Sequence, residues 1–310
     1  VNMIYHADDF GITLEQSRRI LQCSDNCGGA GVLNSISILA TSPHFEECAA
    51  LLEPLPAHLL VSLHINIVEG PCCSNPADIP LLADSSGCFH SSFAQMLALS
   101  YGSQARELRR QLDIEIGAQL DAFLTRFPHM KNALRVDSHQ HFHLIPAVFD
   151  ALLDAIRSRG CTLSFMRIPA EPLLPFLRTP SIWLRIPPIN WLKHWLLNRL
   201  WKRNQAKLPE FNQVSAVFCG IFFSGHMTIA NVEAVLPRLQ DYANKKHMPL
   251  ELLFHPGGYE DPSSALDPKL KGFVQFYQSP LRAQEAHALT TLKQADPSML
   301  NRISRKEGRR

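Results

Sequence analysis

Short runs of extended type alternate with helical stripes along the chain. Residues 3–8, 32–40, 59–68, 134–139, 162–168, 214–223 and 250–255 read as strands. Residues 104–127 give the clearest helix: Leu108, Leu112, Ile116, Leu120, Phe123 and Phe127 recur at spacings of three and four, which makes one apolar stripe. Thr13 opens an earlier helix, with Gln16 at the position that completes a capping box. Residues 147–159 are helical and stop at Gly160, suited to a left-handed cap. Residues 232–242 and 280–295 carry further helical patterns. Strands alternating with helices predict a parallel sheet under a layer of helices. Seven such runs favour an α/β barrel over an open sheet.

Residues 169–211 break the alternation. They hold all four tryptophans, Trp183, Trp191, Trp195 and Trp201, beside Arg185, Lys193, Arg199, Lys202 and Arg203. Pro187 and Pro188 precede a helix predicted at 190–202. Aromatic and basic residues together suit a lid, or a membrane-surface contact through 183–203. A helix packed on the barrel, or on a second subunit in a homodimer, accounts for the same residues. This insert and the loop-rich stretch 69–92, with Pro71, Pro76, Pro80 and Gly87, are the segments expected to shape a substrate site.

Composition narrows the class. With 310 residues, 46% hydrophobic and 19% charged, the chain can bury a large core and is not of the disordered type. Residues 1–300 are expected to form one barrel domain, followed by a basic solvated tail at 301–310. The balance of 30 Lys+Arg against 28 Asp+Glu, net +2, gives no field for nucleic acid. The eight cysteines lack paired CxxC spacing, so no structural zinc site is indicated and buried reduced thiols are expected. No uninterrupted apolar stretch reaches the ~20 residues that span a bilayer. The first nine residues enter a strand with no charged leader and no cleavage site, and a cytoplasmic location is expected.

Four polar clusters fall at or just after strand ends, the side of a barrel where catalytic groups gather. In His6-Ala7-Asp8-Asp9-Phe10-Gly11, two adjacent carboxylates point to opposite faces of an extended chain. They reach one site only if the chain turns, which Gly11 permits. An acidic turn that stabilises the next helix accounts for them equally. In Ser62-Leu63-His64-Ile65-Asn66 the polar residues share one face and the apolar residues the other; a hydrogen-bonded structural His suits this position too. Asp137-Ser138-His139-Gln140-His141-Phe142-His143 carries the strongest signal. Its three imidazoles line one face if the segment stays extended, and imidazole is the commonest nitrogen ligand for zinc and related metals. Asp137 or His143 would then orient a ligand ring by taking its other N–H. His255 ends the last strand before Pro256-Gly257 turns the chain away. Together these residues suit an open site of two imidazoles and one carboxylate, catalytic rather than structural. Oxidative iron chemistry uses the same ligand count, so the ligands alone leave the reaction open.

At these residues the chain resembles the YdjC/ChbG family of carbohydrate deacetylases. The matching stretches are Ala7-Asp8-Asp9-Phe10-Gly11, Leu63-His64-Ile65-Asn66, the cluster from Asp137 through His143, and His255-Pro256-Gly257, in the family's order over residues 7–257. The resemblance implies a distorted β/α barrel related to NodB-type polysaccharide deacetylases. It implies a hydrolase that removes an N-acetyl group from an acetylated amino sugar or oligosaccharide. It further implies one divalent ion, magnesium or zinc, held by Asp9, His64 and His139, with Asp8 as base and His255 as acid. Arg167 lies where related sequences often carry an arginine that steadies the site. His6 replaces the family's usual Asn, and the Trp-rich insert lies outside the matched motifs; both bear on the substrate more than on the reaction. In the implied mechanism Asp8 deprotonates water and a protonated His255 donates to the departing amine. Two alternatives stand beside it: a two-metal phosphoesterase using His141, His143 and Asp8 as further ligands, and a non-catalytic sugar- or metal-binding barrel.

Overall fold

The computed structural model describes residues 1–54, 56 and 58–295 of the 310. Among these, seven strands form one sheet: β1 (Met3–Phe10), β2 (Ser35–Ile38), β3 (Leu60–Ile65), β4 (Leu134–Ser138), β5 (Leu163–Met166), β6 (Val217–Cys219) and β7 (Leu250–Phe254). All neighbours pair in parallel, in the order β5-β4-β3-β2-β1-β7-β6. Each predicted run holds one strand, and β1 continues two residues past its run, to Phe10. The run at 214–223 shortens most, because Ile221, Phe222 and Phe223 are buried beyond the end of β6.

The sheet curls into a distorted barrel. Four strands separate β5 from β7 in the pairing order. Yet Arg167, just past β5, places Nη2 2.9 Å from Glu251 Oε1 on β7. Ile4 on β1, Phe165 on β5 and Ala216 beside β6 also meet in one small apolar cluster. The hydrogen-bonded ladder itself ends at β5 and β6.

Alternation along the strands sorts side chains between two environments. Ile36, Ile38, Val61, Leu63, Ile65 and Val136 join the main core. Their neighbours make a polar belt. His6 faces Ser35 Oγ (2.8 Å) and Ser37 Oγ (3.1 Å), Ser37 Oγ faces His64 Nδ1 (2.9 Å), and His64 Nδ1 faces Asp137 Oδ1 (2.6 Å).

The helix Ala105–Arg126 buries the predicted stripe, and beside it Gln111, Glu115 and Gln119. These polar residues pin the loop that follows β3. Gln119 accepts from the Asn66 N–H (2.9 Å), Glu115 from the N–H groups of Cys73 and Ser74 (3.0 Å each), and Gln111 from Leu81 (2.7 Å). Buried loop backbone needs such partners. Helices Pro146–Ser158, Ile229–Lys246 and Leu281–Ala295 follow the sequence pattern, and the insert's helix spans Pro188–Asn204. No cysteine forms a disulfide; Cys23, Cys48 and Cys219 are buried as expected, whereas Cys73 is exposed. No helix among the described residues is long and apolar enough to cross a membrane. The tail 301–310 lies outside the described residues.

Candidate active site

Strand β1 does not stay regular to its end. Its pairing with β2 slips between Ala7 and Phe10, and Asp9 takes φ +65° before Gly11 at +108°. The turn expected at Gly11 thus begins at Asp9, in a left-handed conformation that Asp tolerates better than most residues. Gln16 Nε2 donates to Asp9 O (2.9 Å), and the Gly11 N–H donates to Ser17 Oγ (3.0 Å). Thr13 Oγ1 caps the helix Leu14–Leu21 by accepting from the Gln16 N–H (3.0 Å). Gln16 does not close the predicted capping box: its Nε2 is held on Asp9 O, and its Oε1 stays buried without a hydrogen-bond partner among the described residues. With the chain bent here, Asp8 and Asp9 both line the same cleft of about 800 Å³.

Asp9, His64 and His139 offer donor atoms within 4.8 Å of one another. Asp9 Oδ1 lies 3.2 Å from His64 Nε2 and 2.9 Å from His139 Nδ1. Because Asp137 accepts at His64 Nδ1, that nitrogen carries a proton, and Nε2 is the atom turned toward Asp9. His64 Nε2 and His139 Nε2 are buried with no hydrogen-bond partner among the described residues. His139 Nε2 does lie 3.0 Å from Glu69 Oε1, off the line of a hydrogen bond.

The surrounding charge selects for a cation. Burial works against protonated imidazoles, but the carboxylates of Asp8 and Asp137 outweigh it and lift His64 to about 9. Burial is likewise overcome at His139, where Asp9 and then Glu69 raise the imidazole to about 10. Two unpartnered imidazole nitrogens inside an excess of negative charge fit a divalent ion.

The three-histidine face expected after β4 does not form. Gln140 and His141 adopt φ +49° and +62°, so the chain reverses instead of staying extended. Only His139 joins Asp9 and His64. His141 lines the cleft wall, and burial, then Arg167, holds its imidazole well below the ordinary range. His143 turns away, with Nε2 on Arg167 O (2.8 Å) and Nδ1 on Ser138 Oγ (2.5 Å). Of the two residues expected to orient a ligand ring, Asp137 touches His64 and His143 touches none.

Asp8 sits deeper. Arg167 Nη1 donates to both of its oxygens, at 2.7 and 2.9 Å, and Ser37 Oγ donates to Oδ1 at 3.1 Å. Burial would raise its carboxyl, yet Arg167 and His64 hold it well below the usual carboxylate range. Arg167 is fully buried among Asp8, Asp137 (Nη2 to Oδ2, 3.2 Å) and Glu251. Those charges raise the guanidinium despite burial, Asp137 most and then Asp8. His255 Nε2 stands 4.0 Å from Asp8 Oδ2. Glu285 accepts the His255 backbone N–H at 2.5 Å.

Sequence reasoning missed Glu69, Glu251 and Glu285. Glu251 interrupts an apolar strand, and Glu285 shares a helix face with Ala288 and Leu289, so each carried a signal of a buried acid. Glu69 carried none. It is placed by Asn66, whose side chain accepts from the N–H groups of Val68 and Glu69 (3.0 and 3.3 Å) and donates to Glu69 O (2.7 Å).

A curled parallel sheet with carboxylates and imidazoles gathered at the C-terminal strand ends over an open cleft defines a β/α barrel with a polar centre of metal-ligating type. The chain belongs to the YdjC-like family, whose family model, described as "YdjC-like protein", matches residues 2–296. A carbohydrate deacetylase of Danio rerio is 25% identical, over 97% of this chain and 94% of that protein. A chitooligosaccharide deacetylase of Proteus mirabilis is 26% identical, over 54% of this chain and 60% of its own length. Among solved structures, a protein of Enterococcus faecalis, provisionally described as a cellobiose-phosphate cleavage protein, aligns with a TM-score of 0.61. It is 17% identical and covers 95% of this chain and 94% of its own, a likeness of fold.

Proposed function

We propose that the chain is a metal-dependent carbohydrate deacetylase, which hydrolyses the N-acetyl amide of an amino sugar and releases acetate. The observation that carries this reading is the set of Asp9, His64 and His139 donors within 4.8 Å, beside Asp8 and His255 on one cleft. The deacetylase names of the relatives agree with it. Asp9, His64 and His139 would hold one divalent ion, and such an ion supplies a Lewis acid for the acyl oxygen and a lowered pKa for water. The carboxylate favours magnesium and the imidazoles favour zinc.

The chain's own groups handle the proton. Asp8 is ionised and ready to accept one from the attacking water. Its oxygens already accept two hydrogen bonds from Arg167 Nη1 and one from Ser37 Oγ, so the proton is not held there for long. His255 Nε2, 4.0 Å away, is the next stop. The sequence reading has His255 protonated at the outset. Burial lowers its imidazole instead, against the pull of Asp9, Glu285 and Asp8. A neutral His255 that first receives the proton and then gives it to the departing amine balances the reaction, since an amine anion leaves poorly.

A two-metal phosphoesterase is disfavoured by one contact. His6, Asp8 and Asp137 also cluster within ligand range, but Arg167 lies 2.7 Å from Asp8 and 3.2 Å from Asp137 and already supplies the cation there.

Metal content and acetate release test this reading. One ion per chain is expected, lost in His64→Ala and in His139→Ala. Asp8→Asn is expected to keep the ion and lose turnover. Full metal in both His variants would refute the ligand set. Undiminished turnover in Asp8→Asn would remove it from the proton path. Absence of acetate from a panel of N-acetylated saccharides, with magnesium or zinc supplied, would refute the reaction.

A further inference from the structure

The insert is built inside out. Its helix Pro188–Asn204 buries Asn190, His194 and Asn204 along with Leu197, Leu200 and Trp201. The polar residues are anchors: Asn190 donates to Phe222 O (3.0 Å), His194 Nε2 to Glu171 O (2.8 Å) and Asn204 to Leu144 O (2.8 Å). The opposite face leaves Ile189, Leu192 and Trp195 more than half exposed. Of the ten exposed large hydrophobic side chains among the described residues, eight lie between 173 and 195, and Leu184 is wholly exposed at 102%. Exposed apolar side chains concentrated in one segment in this way mark an interaction site.

Charge says what covers it. Residues 172–206 contain six Lys and Arg and no Asp or Glu, while the rest of the chain holds 24 Lys and Arg against 28 Asp and Glu. A two-fold contact through this face would set those cations against their own copies with no carboxylate of the segment between them. Exposed apolar side chains in a segment whose charged residues are all cations instead match an anionic lipid surface, which takes up aromatic and aliphatic groups and attracts Lys and Arg. The face also runs into the cleft. Ile189, Leu192 and Leu196 of the same helix line it together with Asp8, Asp9 and His255, as do Leu270, Phe273 and Phe276, with Lys193, Lys269 and Lys271 among the lining. The apolar side chains in this lining offer hydroxyl groups no hydrogen bonds, and they suit hydrocarbon.

We propose that residues 172–203 form a docking face for an anionic bilayer, which sets the mouth of the cleft on the lipid surface and gives it an amino sugar carried on a lipid. The docking stands on the face alone; the choice of substrate rests on the deacetylase reading.

Co-sedimentation of the full chain with vesicles tests the docking without any assay of activity. Vesicles of phosphatidylcholine mixed with phosphatidylglycerol are expected to bind it, phosphatidylcholine alone much less, and added salt to weaken the binding. Arg199→Gln with Lys202→Gln is expected to weaken binding roughly 30-fold, from the contribution of each cation near an anionic surface. Leu184→Ser with Trp195→Ser is expected to abolish it and to leave metal content and turnover of a soluble N-acetylated disaccharide unchanged. Acetate release from an N-acetylglucosaminyl lipid embedded in the same vesicles should exceed release from the soluble disaccharide in wild type and lose that advantage in the Leu184/Trp195 variant. Vesicle binding without acetate from either substrate would uphold the docking and sink the deacetylase reading. Turnover of the soluble sugar without vesicle binding would do the reverse. A concentration-dependent dimer broken by the Leu184/Trp195 variant, with no vesicle binding, would assign the face to a second copy and overturn the proposal.

Discussion

Around the strand ends, charge is packed inside and closely partnered; on the Trp-rich insert, polar side chains point inward while apolar ones face out. Arg167 has Asp8, Asp137 and Glu251 around it, and each of those carboxylates comes from a different strand. The insert holds itself down with single side-chain-to-backbone bonds from Asn190, His194 and Asn204. The first arrangement resists change because removing one partner strands several charges in a medium that solvates them badly. The second spends its polar groups on attachment and leaves its apolar groups available. A closely partnered charged centre thus lies in the same chain as a segment whose apolar side chains are exposed.

The largest expected effect lies in the rigid region. Arg167→Met removes the guanidinium and leaves Asp8, Asp137 and Glu251 facing one another. Breaking a buried ion network from one side costs about 3–5 kcal/mol. Urea unfolding is expected to show that loss, and adding Glu251→Gln is expected to restore part of it. A loss under about 1 kcal/mol, within the range of an exposed pair, would mean that the charges relax into water and that the centre is not rigid.

The next effect is one of pH. His143 is fully buried, and its partners fix one neutral tautomer: Nε2–H donates to Arg167 O, so Nδ1 must accept from Ser138 Oγ. Burial pushes this imidazole from the ordinary 6.5 down to about 4. A depressed His favours folding above the unfolded value and loses that contribution as pH falls. The stability from this residue is therefore complete above pH 6.5 and disappears as the pH falls through 4, a span worth about 3 kcal/mol. Wild type should lose more stability than His143→Gln between pH 7 and pH 4. Parallel pH profiles would show that His143 already takes a proton in the fold.

These two regions also differ in how far the sequence reveals them. The strands, the stripe of Ala105–Arg126 and the residues that meet around Asp9 follow from alternation and local motifs, because each motif sits where a parallel strand ends. The reversal at Gln140 and His141 was hidden, since neither residue announces a positive φ as glycine does. Glu69 reaches His139 only because Asn66 bends the loop, a contact no spacing encodes. On the insert, periodicity misleads outright: a buried face that carries Asn190, His194 and Asn204 looks like a surface, and a surface carrying Leu184, Leu192 and Trp195 looks like core. Fold signals read from hydrophobicity assume that apolar means inside, and an interaction face inverts that assumption.

The smallest effects test that inversion directly. On an ordinary amphipathic helix, removing an inward Asn matters little and removing an apolar residue matters much. Here the order should reverse. Asn204→Ala leaves Leu144 O, which now accepts from Asn204 Nδ2 at 2.8 Å, without that donor in a buried setting, a loss of about 1–3 kcal/mol. Leu184→Ser takes a side chain that touches water on all sides and should change stability by less than about 0.5 kcal/mol. Thermal unfolding of the two variants side by side compares them in one measurement. Were Leu184→Ser the more damaging, its side chain would have to be covered in solution, and the apolar flank would be a packed surface instead of a free one.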